Sequence, residues 1–340
     1  MKFRITLNLK EAYGDGYRWK VGLNTVPCIK VRKRKRCSFC GFKNWKDPVP
    51  PQKVGKYFSD FFKKNYTQDI SRVEIYCSGS FFDDSEVSRN SRTEIIKILN
   101  QSSIKKIVLE SRTEFISLKK LSDLIKYINP KKLIIAVGLE TTNDAYRRKL
   151  AKGLAKNQFI KSFEIIQELG MGFQAYLLLK PPVIRNDREA IIDLVKSVKE
   201  LISITKNKES NLTVAIQPFF VVENSSVAKD PYFRNEFRPV WLYTIAKSIE
   251  ILDKIRKEQG LDFKIILGNY NDNVETISIP SNYNKQGGIC ACSEKIREYL
   301  KNINCYPQNV RVITDEVLNS KCNCKKSWIK DVGSKLKNFD

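Results

Sequence analysis

The chain has 340 residues, 61 of them Lys or Arg and 37 Asp or Glu, for a net charge of +24, with nine cysteines and no histidine. Without imidazole there is no Ser-His-Asp triad, no histidine general base, no His-ligated zinc and no HExxH protease, so any metal must sit on Cys, Asp or Glu. A hydrophobic share of 42% excludes a disordered chain, and the positive excess suits a polyanionic partner, nucleic acid above all.

The N-terminus, MKFRITLNLKEAYGDG, has no signal-peptide core. The longest apolar runs, Leu133–Leu139 and Ala175–Leu179, fall far short of the ~20 residues a spanning helix needs. A cytoplasmic protein with no membrane contact is expected, and in that compartment cysteines read as metal ligands or reactive thiols before disulfides.

In chain order, Phe3–Leu9 is predicted as the first strand. Cys28, Cys37 and Cys40 follow in a C-x8-C-x2-C loop, with Phe39 between the last two. Three thiolates are one short of a structural zinc site, whereas an iron–sulfur cube held by three cysteines keeps one iron open. Cys77 is the nearby thiol that could complete a zinc site; as a lone cysteine it also reads as an inert core thiol. Lys30, Arg32, Lys33, Arg34, Lys35 and Arg36 crowd the same loop. Such a run serves as a phosphate-backbone guide or as a solvated face.

Apolar runs at Val73–Cys77, Lys106–Glu110, Leu133–Leu139, Gln174–Leu179 and Leu212–Phe220 predict further strands. Helical spacing predicts helices over Val54–Lys64, Glu94–Gln101, Leu118–Ile128, Phe159–Leu169 and Glu189–Ile204. This alternation predicts an α/β fold with a parallel sheet or barrel, in which function gathers at the carboxyl ends of strands. Those ends carry Ser78, Gly79 and Ser80 after the second strand, Glu110 beside Arg112, Glu140 in GLETT with Lys152 and Gly153 beyond it, and Lys180 in LLLKPP. An ordinary turn, a surface ion pair and a solvent-facing lysine are the bland alternatives for the first, second and last of these.

A basic, aromatic stretch, Pro231–Pro239, leads to a predicted helix, Val240–Lys257, and a strand, Phe263–Gly268. Its rings suit base stacking or core packing. The tail holds Cys290-Ala-Cys292 and Cys322-Asn-Cys324, the right number for tetrahedral zinc or a second iron–sulfur cluster, with Cys305 a substitute ligand. The expected division is a core over 1–235 and a small cysteine-rich α+β extension over 236–340.

The cysteine loop resembles the radical SAM superfamily, whose last ligand follows an aromatic residue as Cys40 follows Phe39, and its expanded spacing resembles the Elp3-like branch. GLETTNDAYRRKLAKG (138–153), AYLLLKPP (175–182), the Ser-Gly-Ser-Phe turn at Ser78–Phe81, the Cys40-Gly41-Phe42 ending, and Cys322, Cys324 and Trp328 are similar to the radical SAM subunit of archaeosine synthase. The resemblance implies a partial (β/α)6 TIM-type barrel. It implies a 4Fe–4S cluster on Cys28, Cys37 and Cys40 and S-adenosylmethionine as cofactor. It also implies S-adenosylmethionine contacts from Phe39, Ser78, Gly79, Ser80, Glu110, Glu140 and Lys152, with Glu140 and Lys180 as catalytic candidates. The activity implied is radical carbon–nitrogen cleavage of a lysine-adducted 7-cyano-7-deazaguanine in tRNA, giving archaeosine. Implied partners are tRNA, a lysine-transferring subunit and an electron donor. Another Elp3-like RNA-modifying enzyme and a non-catalytic zinc-ribbon RNA-binding protein are the rival readings.

Overall fold

The computed structural model describes residues 5–14, 16–41, 47–205, 211–268 and 275–332. Phe42, the last residue of the cysteine-loop motif, lies outside them. The chain opens with β1 (Ile5–Tyr13) and β2 (Gly16–Leu23), paired antiparallel. Then come α1 (Ile29–Arg32), α2 (Val54–Asn65), β3 (Ile70–Tyr76), α3 (Arg89–Asn100), β4 (Lys106–Glu110), α4 (Leu118–Ile125) and β5 (Leu133–Glu140). They are followed by α5 (Asp144–Lys149), α6 (Lys156–Glu168), β6 (Gly172–Leu179), α7 (Asp187–Thr205), β7 (Leu212–Pro218) and β8 (Val221–Val222). The rest is α8 (Pro231–Asn235), α9 (Leu242–Glu258), β9 (Lys264–Leu267), β10 (Thr276–Ser278), α10 (Cys292–Cys305), α11 (Val310–Leu318) and α12 (Cys324–Val332).

Eight strands form one sheet in the order β1-β2-β3-β4-β5-β6-β7-β9, and β8 pairs with β10 apart from it. β2/β3, β3/β4, β4/β5 and β7/β9 run parallel. The predicted strands stand where expected, and β2 is an addition to them. Its alternation hides it: Trp19 and Val21 lie on one face and the charged Arg18 and Lys20 on the other, yet all four are buried.

Contacts divide the chain into two compact units, neither of them one stretch of sequence. The first is Met1–Arg36, Phe42–Gly138 and Leu154–Ala175; the second is Cys37–Gly41, Leu139–Gly153 and Tyr176–Asp340.

In the first unit, α2 turns Val54, Phe58, Phe61 and Phe62 inward. Trp19 stacks on Phe61 with ring centroids 5.4 Å apart and anchors its indole N–H on Asn8 Oδ1 at 2.7 Å. Truncating Phe58 to Ala there would cost about 3–5 kcal/mol. The opposite face of β2 and β3 carries a buried charge network. Arg72 donates to Glu74 Oε1 at 2.7 Å and to Gln174 Oε1 at 2.8 Å, Tyr76 donates to Glu74 Oε2 at 2.6 Å, and Arg18 pairs with Glu11 at 2.6 Å. Burial alone would raise the Glu74 carboxyl, but Arg72, Arg18 and Lys20 outweigh it and hold it at about 2.

In the second unit, α9 is the central helix, with Leu242, Ile245, Ile249 and Leu252 buried. Its free amides are met from outside: Trp241 N–H donates to Asp187 Oδ2 at 2.9 Å and Leu242 N–H to Asn282 Oδ1 at 3.1 Å. Asn304 of α10 pairs with both backbone groups of Leu267, at 2.9 and 2.7 Å, and so closes the edge strand β9.

Candidate active site and thiol centre

In the first unit the turn after β3 is built from its own hydroxyls. Ser78 N–H donates to Thr25 Oγ1 at 2.9 Å, Ser78 Oγ donates to the Thr25 carbonyl at 3.0 Å, and Ser80 Oγ accepts from Arg112 N–H at 2.9 Å. These hydroxyls shape the turn. The acid of the site is Glu86, seven residues beyond Gly79 and fully buried. Its Oε2 accepts from Gly79 N–H at 2.8 Å and from the Thr25 hydroxyl at 3.1 Å, while its Oε1 is buried without a hydrogen-bond partner. A Cβ on Gly79 would stand 2.7 Å from both Cys28 Sγ and Glu86 Oε1, so glycine alone fits between them. Burial pushes the Glu86 carboxyl up to about 7, against the pull of the Gly79 amide, the Thr25 hydroxyl and the Ser80 amide, which comes near the carboxylate without an aligned hydrogen bond to it.

Cys28 caps the short α1, its carbonyl accepting from Val31 and Arg32 N–H at 2.9 and 3.0 Å. Arg32 pairs with Asp83 at 2.6 Å and donates to the Pro27 carbonyl at 2.8 Å. Lys33, Arg34 and Lys35 are exposed, Lys30 and Arg36 half-buried. Burial pushes the Cys77 thiol well up, as suits a core thiol. Glu110 is half-buried at the end of β4, its carbonyl accepting from Phe81 N–H at 2.9 Å, while Arg112 pairs with Glu114 at 2.6 Å.

In the second unit the segment Cys37–Gly41 is tied by its backbone. Ser38 N–H donates to the Leu150 carbonyl and Val227 N–H to the Ser38 carbonyl, each at 3.0 Å. Gly41 lies hard against Val222, where any Cβ would collide. The Phe39 ring lies 5.9 Å from Lys152 Nζ, and Lys152 pairs with Glu140 at 2.6 Å. Three of the residues implied to touch S-adenosylmethionine thus come together here. Glu140 has a left-handed φ of 70° at the end of β5. Next to it Thr141 donates to Asp193 at 2.9 Å, and burial pushes that carboxyl up to about 6.

Lys180 repeats the pattern at the end of β6, with φ 59°. It is buried, pairs with Asp187 at 2.8 Å and donates to the Arg238 carbonyl at 2.7 Å. The rings of Pro231–Pro239 are core: Phe233 and Phe237 are buried with Leu150, Phe219 and Val221, and Tyr232 packs on them.

The tail thiols converge. The Sγ atoms of Cys290, Cys292, Cys322 and Cys324 all lie within 4.8 Å of one another. Cys305, at the other end of α10, is outside that group. Sequence reasoning named all four thiols but missed Glu86 and Asp193. The signal that could have found Glu86 is the group of acids, Asp83, Asp84 and Glu86, just past the Ser78–Phe81 turn.

No family model matches the chain. An uncharacterized protein of Methanocaldococcus jannaschii is 31% identical over 75% of this chain and 64% of its own length. Archaeosine synthase subunit beta of Thermococcus kodakarensis is 26% identical over 68% of this chain and 69% of its own length. The chain thus spans about two thirds of these relatives. Among solved structures, Streptococcus suis SuiB bound to S-adenosylmethionine matches 77% of this chain and 52% of that one, with a TM-score of 0.50 at 13% identity. The fold is the mostly parallel partial barrel of radical SAM proteins with a cysteine-rich helical tail. Among the described residues, no helix is long and apolar enough to cross a membrane.

Proposed function

We propose that this chain, a relative of the archaeosine synthase beta subunits with a radical SAM fold, is a radical SAM enzyme that modifies tRNA. Its substrate in this reading is the lysine adduct of 7-cyano-7-deazaguanine, and carbon–nitrogen cleavage in the lysine arm leaves archaeosine. A lysine-transferring partner subunit supplies the adduct and an external donor supplies electrons.

One observation carries the reading: the buried, unpartnered Oε1 of Glu86 beside the Gly79 cradle and Cys28. An acceptor of this kind, next to a proposed cluster ligand, fits the ammonium of an amino-acid cofactor and would otherwise cost about 1–3 kcal/mol to bury. Cys28, Cys37 and Cys40 are the thiolates that would hold a 4Fe–4S cluster. When bound, that cluster supplies the electron for reductive cleavage of S-adenosylmethionine. Glu86 would receive the cofactor's ammonium, and the bare Gly79 backbone lets Glu86 and Cys28 lie side by side. Phe39 offers a flat apolar face, and Lys152 and Glu140 contribute a paired cation and carboxylate for the cofactor's polar groups. With no histidine in the chain, proton transfer falls to other side chains, and Glu140 and Lys180, held in ion pairs with Lys152 and Asp187, are the candidates in this reading. The net charge of +24 supports a tRNA substrate.

The test is anaerobic reconstitution with iron and sulfide, followed by reduction with S-adenosylmethionine present. Formation of 5′-deoxyadenosine is expected, and Cys28/Cys37/Cys40→Ala should lower it to background while tRNA binding persists. Retained cleavage refutes the ligand assignment, and a colourless protein that never cleaves the cofactor sinks the enzyme. Mass spectrometry of tRNA nucleosides from a deletion strain should show the lysine adduct in place of archaeosine; unchanged archaeosine defeats the substrate.

A further inference from the structure

The four tail thiols sit in two matching pieces of chain. In each, a C-x-C places its second cysteine as the first residue of a helix, Cys292 for α10 and Cys324 for α12. In each, the carbonyl of the first cysteine accepts from the backbone N–H three residues on: Ser293 to Cys290 at 2.9 Å, Lys325 to Cys322 at 3.0 Å. The two turns face each other thiol to thiol. Cys290 and Cys322 are 3.5 Å apart at sulfur, Cys292 and Cys324 3.5 Å, and Cys322 and Cys324 3.2 Å.

These separations decide among the occupants. A disulfide needs sulfurs about 2.05 Å apart, and none of these three pairs comes near that. A four-iron cube puts each thiolate on a different iron, so metal–metal distances add to the sulfur spacing and drive the four thiolates well apart. A single tetrahedral ion with bonds of about 2.3 Å spaces its sulfurs about 3.8 Å apart, which four atoms within 4.8 Å of one another already approach.

We propose that Cys290, Cys292, Cys322 and Cys324 form a closed mononuclear tetrathiolate site for one zinc ion. Four protein ligands leave no position for water or substrate, so the site is structural. Its surroundings suit a charged thiolate set. Asn282 Nδ2 lies 3.5 Å from Cys292 Sγ, the Tyr243 hydroxyl lies 3.6 Å from Cys324 Sγ, and Cys292 and Cys324 both meet the positive end of a helix. The ion clasps residues 32 apart in the chain and holds α10, α11 and α12 as one piece. This inference stands independently of the cluster proposed on the first three cysteines.

The test is metal analysis of the full-length chain beside Cys28/Cys37/Cys40→Ala. One zinc per chain is expected in both, with iron lost only from the variant. Cobalt substitution of the variant should give the intense visible bands of tetrahedral thiolate cobalt. Cys322→Ser should lower zinc content at least tenfold, and Cys305→Ser should leave it at one per chain. Should Cys322→Ser fail to fold, titration of the unmutated chain with a mercurial should release one zinc as four thiols react. Iron in place of zinc in the triple variant, two disulfides by mass spectrometry, or zinc retained by Cys322→Ser overturns the assignment. A chain that holds zinc but never cleaves S-adenosylmethionine leaves this inference standing and defeats the function proposed above.

Discussion

The tail thiols and the corner made by Cys28, Gly79 and Glu86 are both assembled from groups that are costly to bury, yet they are finished differently. In the tail, four thiols face one another and nothing in the set is left over. In the corner, one carboxylate oxygen has no hydrogen-bond partner, and a glycine lets Cys28 and Glu86 close in on its backbone. The buried charges of β2 and β3 lie between the two: Arg72 spans Glu74 and Gln174, while Arg18 Nε and Gln174 Nε2 are buried without a hydrogen-bond partner. Closed sets of this kind stabilise, whereas an open one is a standing cost of about 1–3 kcal/mol that a ligand can remove. What sets the Glu86 oxygen apart is its place beside Cys28, where in the proposed function a ligand would meet it.

Five substitutions in three groups probe it, in falling order of effect. Glu74→Gln removes the buried charge that Arg72 and Arg18 share and should cost about 3–5 kcal/mol of stability by urea melts, without changing the affinity for S-adenosylmethionine. The pH dependence follows from the sign of the shift. Because the folded carboxyl sits at about 2, below its ordinary value, its contribution is complete at neutral pH. It fades as pH falls through the ordinary carboxylate range toward 2, and the variant should lack that acid-side loss. Glu86→Gln touches the open set, and calorimetry should show S-adenosylmethionine binding weakened by roughly tenfold to a hundredfold, the worth of one charge-assisted hydrogen bond. An unchanged affinity would remove Glu86 from the site. The smallest effect concerns the loop cations. Lys33→Ala and Lys35→Ala should each reduce the salt slope of tRNA binding by about one, whereas Arg32→Ala, already paired with Asp83, should reduce it less. Equal slopes for all three would mean that pairing does not matter there.

Much of the scaffold was legible because it is periodic. The strands at Leu133–Glu140 and Gly172–Leu179 read as apolar runs, and Ser88 and Ser117 each accept from a first-turn amide as helix caps do. β2 escaped because Arg18 and Lys20 look like surface charges; only Glu11 and Glu74, brought in from other strands, allow them inside. Glu86 escaped for a related reason. In FFDDSEV it is one acid among three, and its role depends on a chain reversal that returns it to Gly79. The tail cysteines were visible as paired spacings, but the choice between one ion and a cluster needed the distances between sulfurs, which no spacing encodes. Lys180 was read as a lysine at a strand end; its partners, Asp187 and the Arg238 carbonyl, lie where only folding brings them.

Glu140 and Lys180 end consecutive strands with the same uncommon backbone, φ 70° and 59°, in a region where a long side chain costs about 1–2 kcal/mol more than the ordinary right-handed one. Glycine would relax either position locally, yet each holds a long charged residue. Glycine there would also remove the buried ion pair with Lys152 or Asp187, and that loss outweighs the backbone relief, so a screen for heat resistance alone should keep both residues.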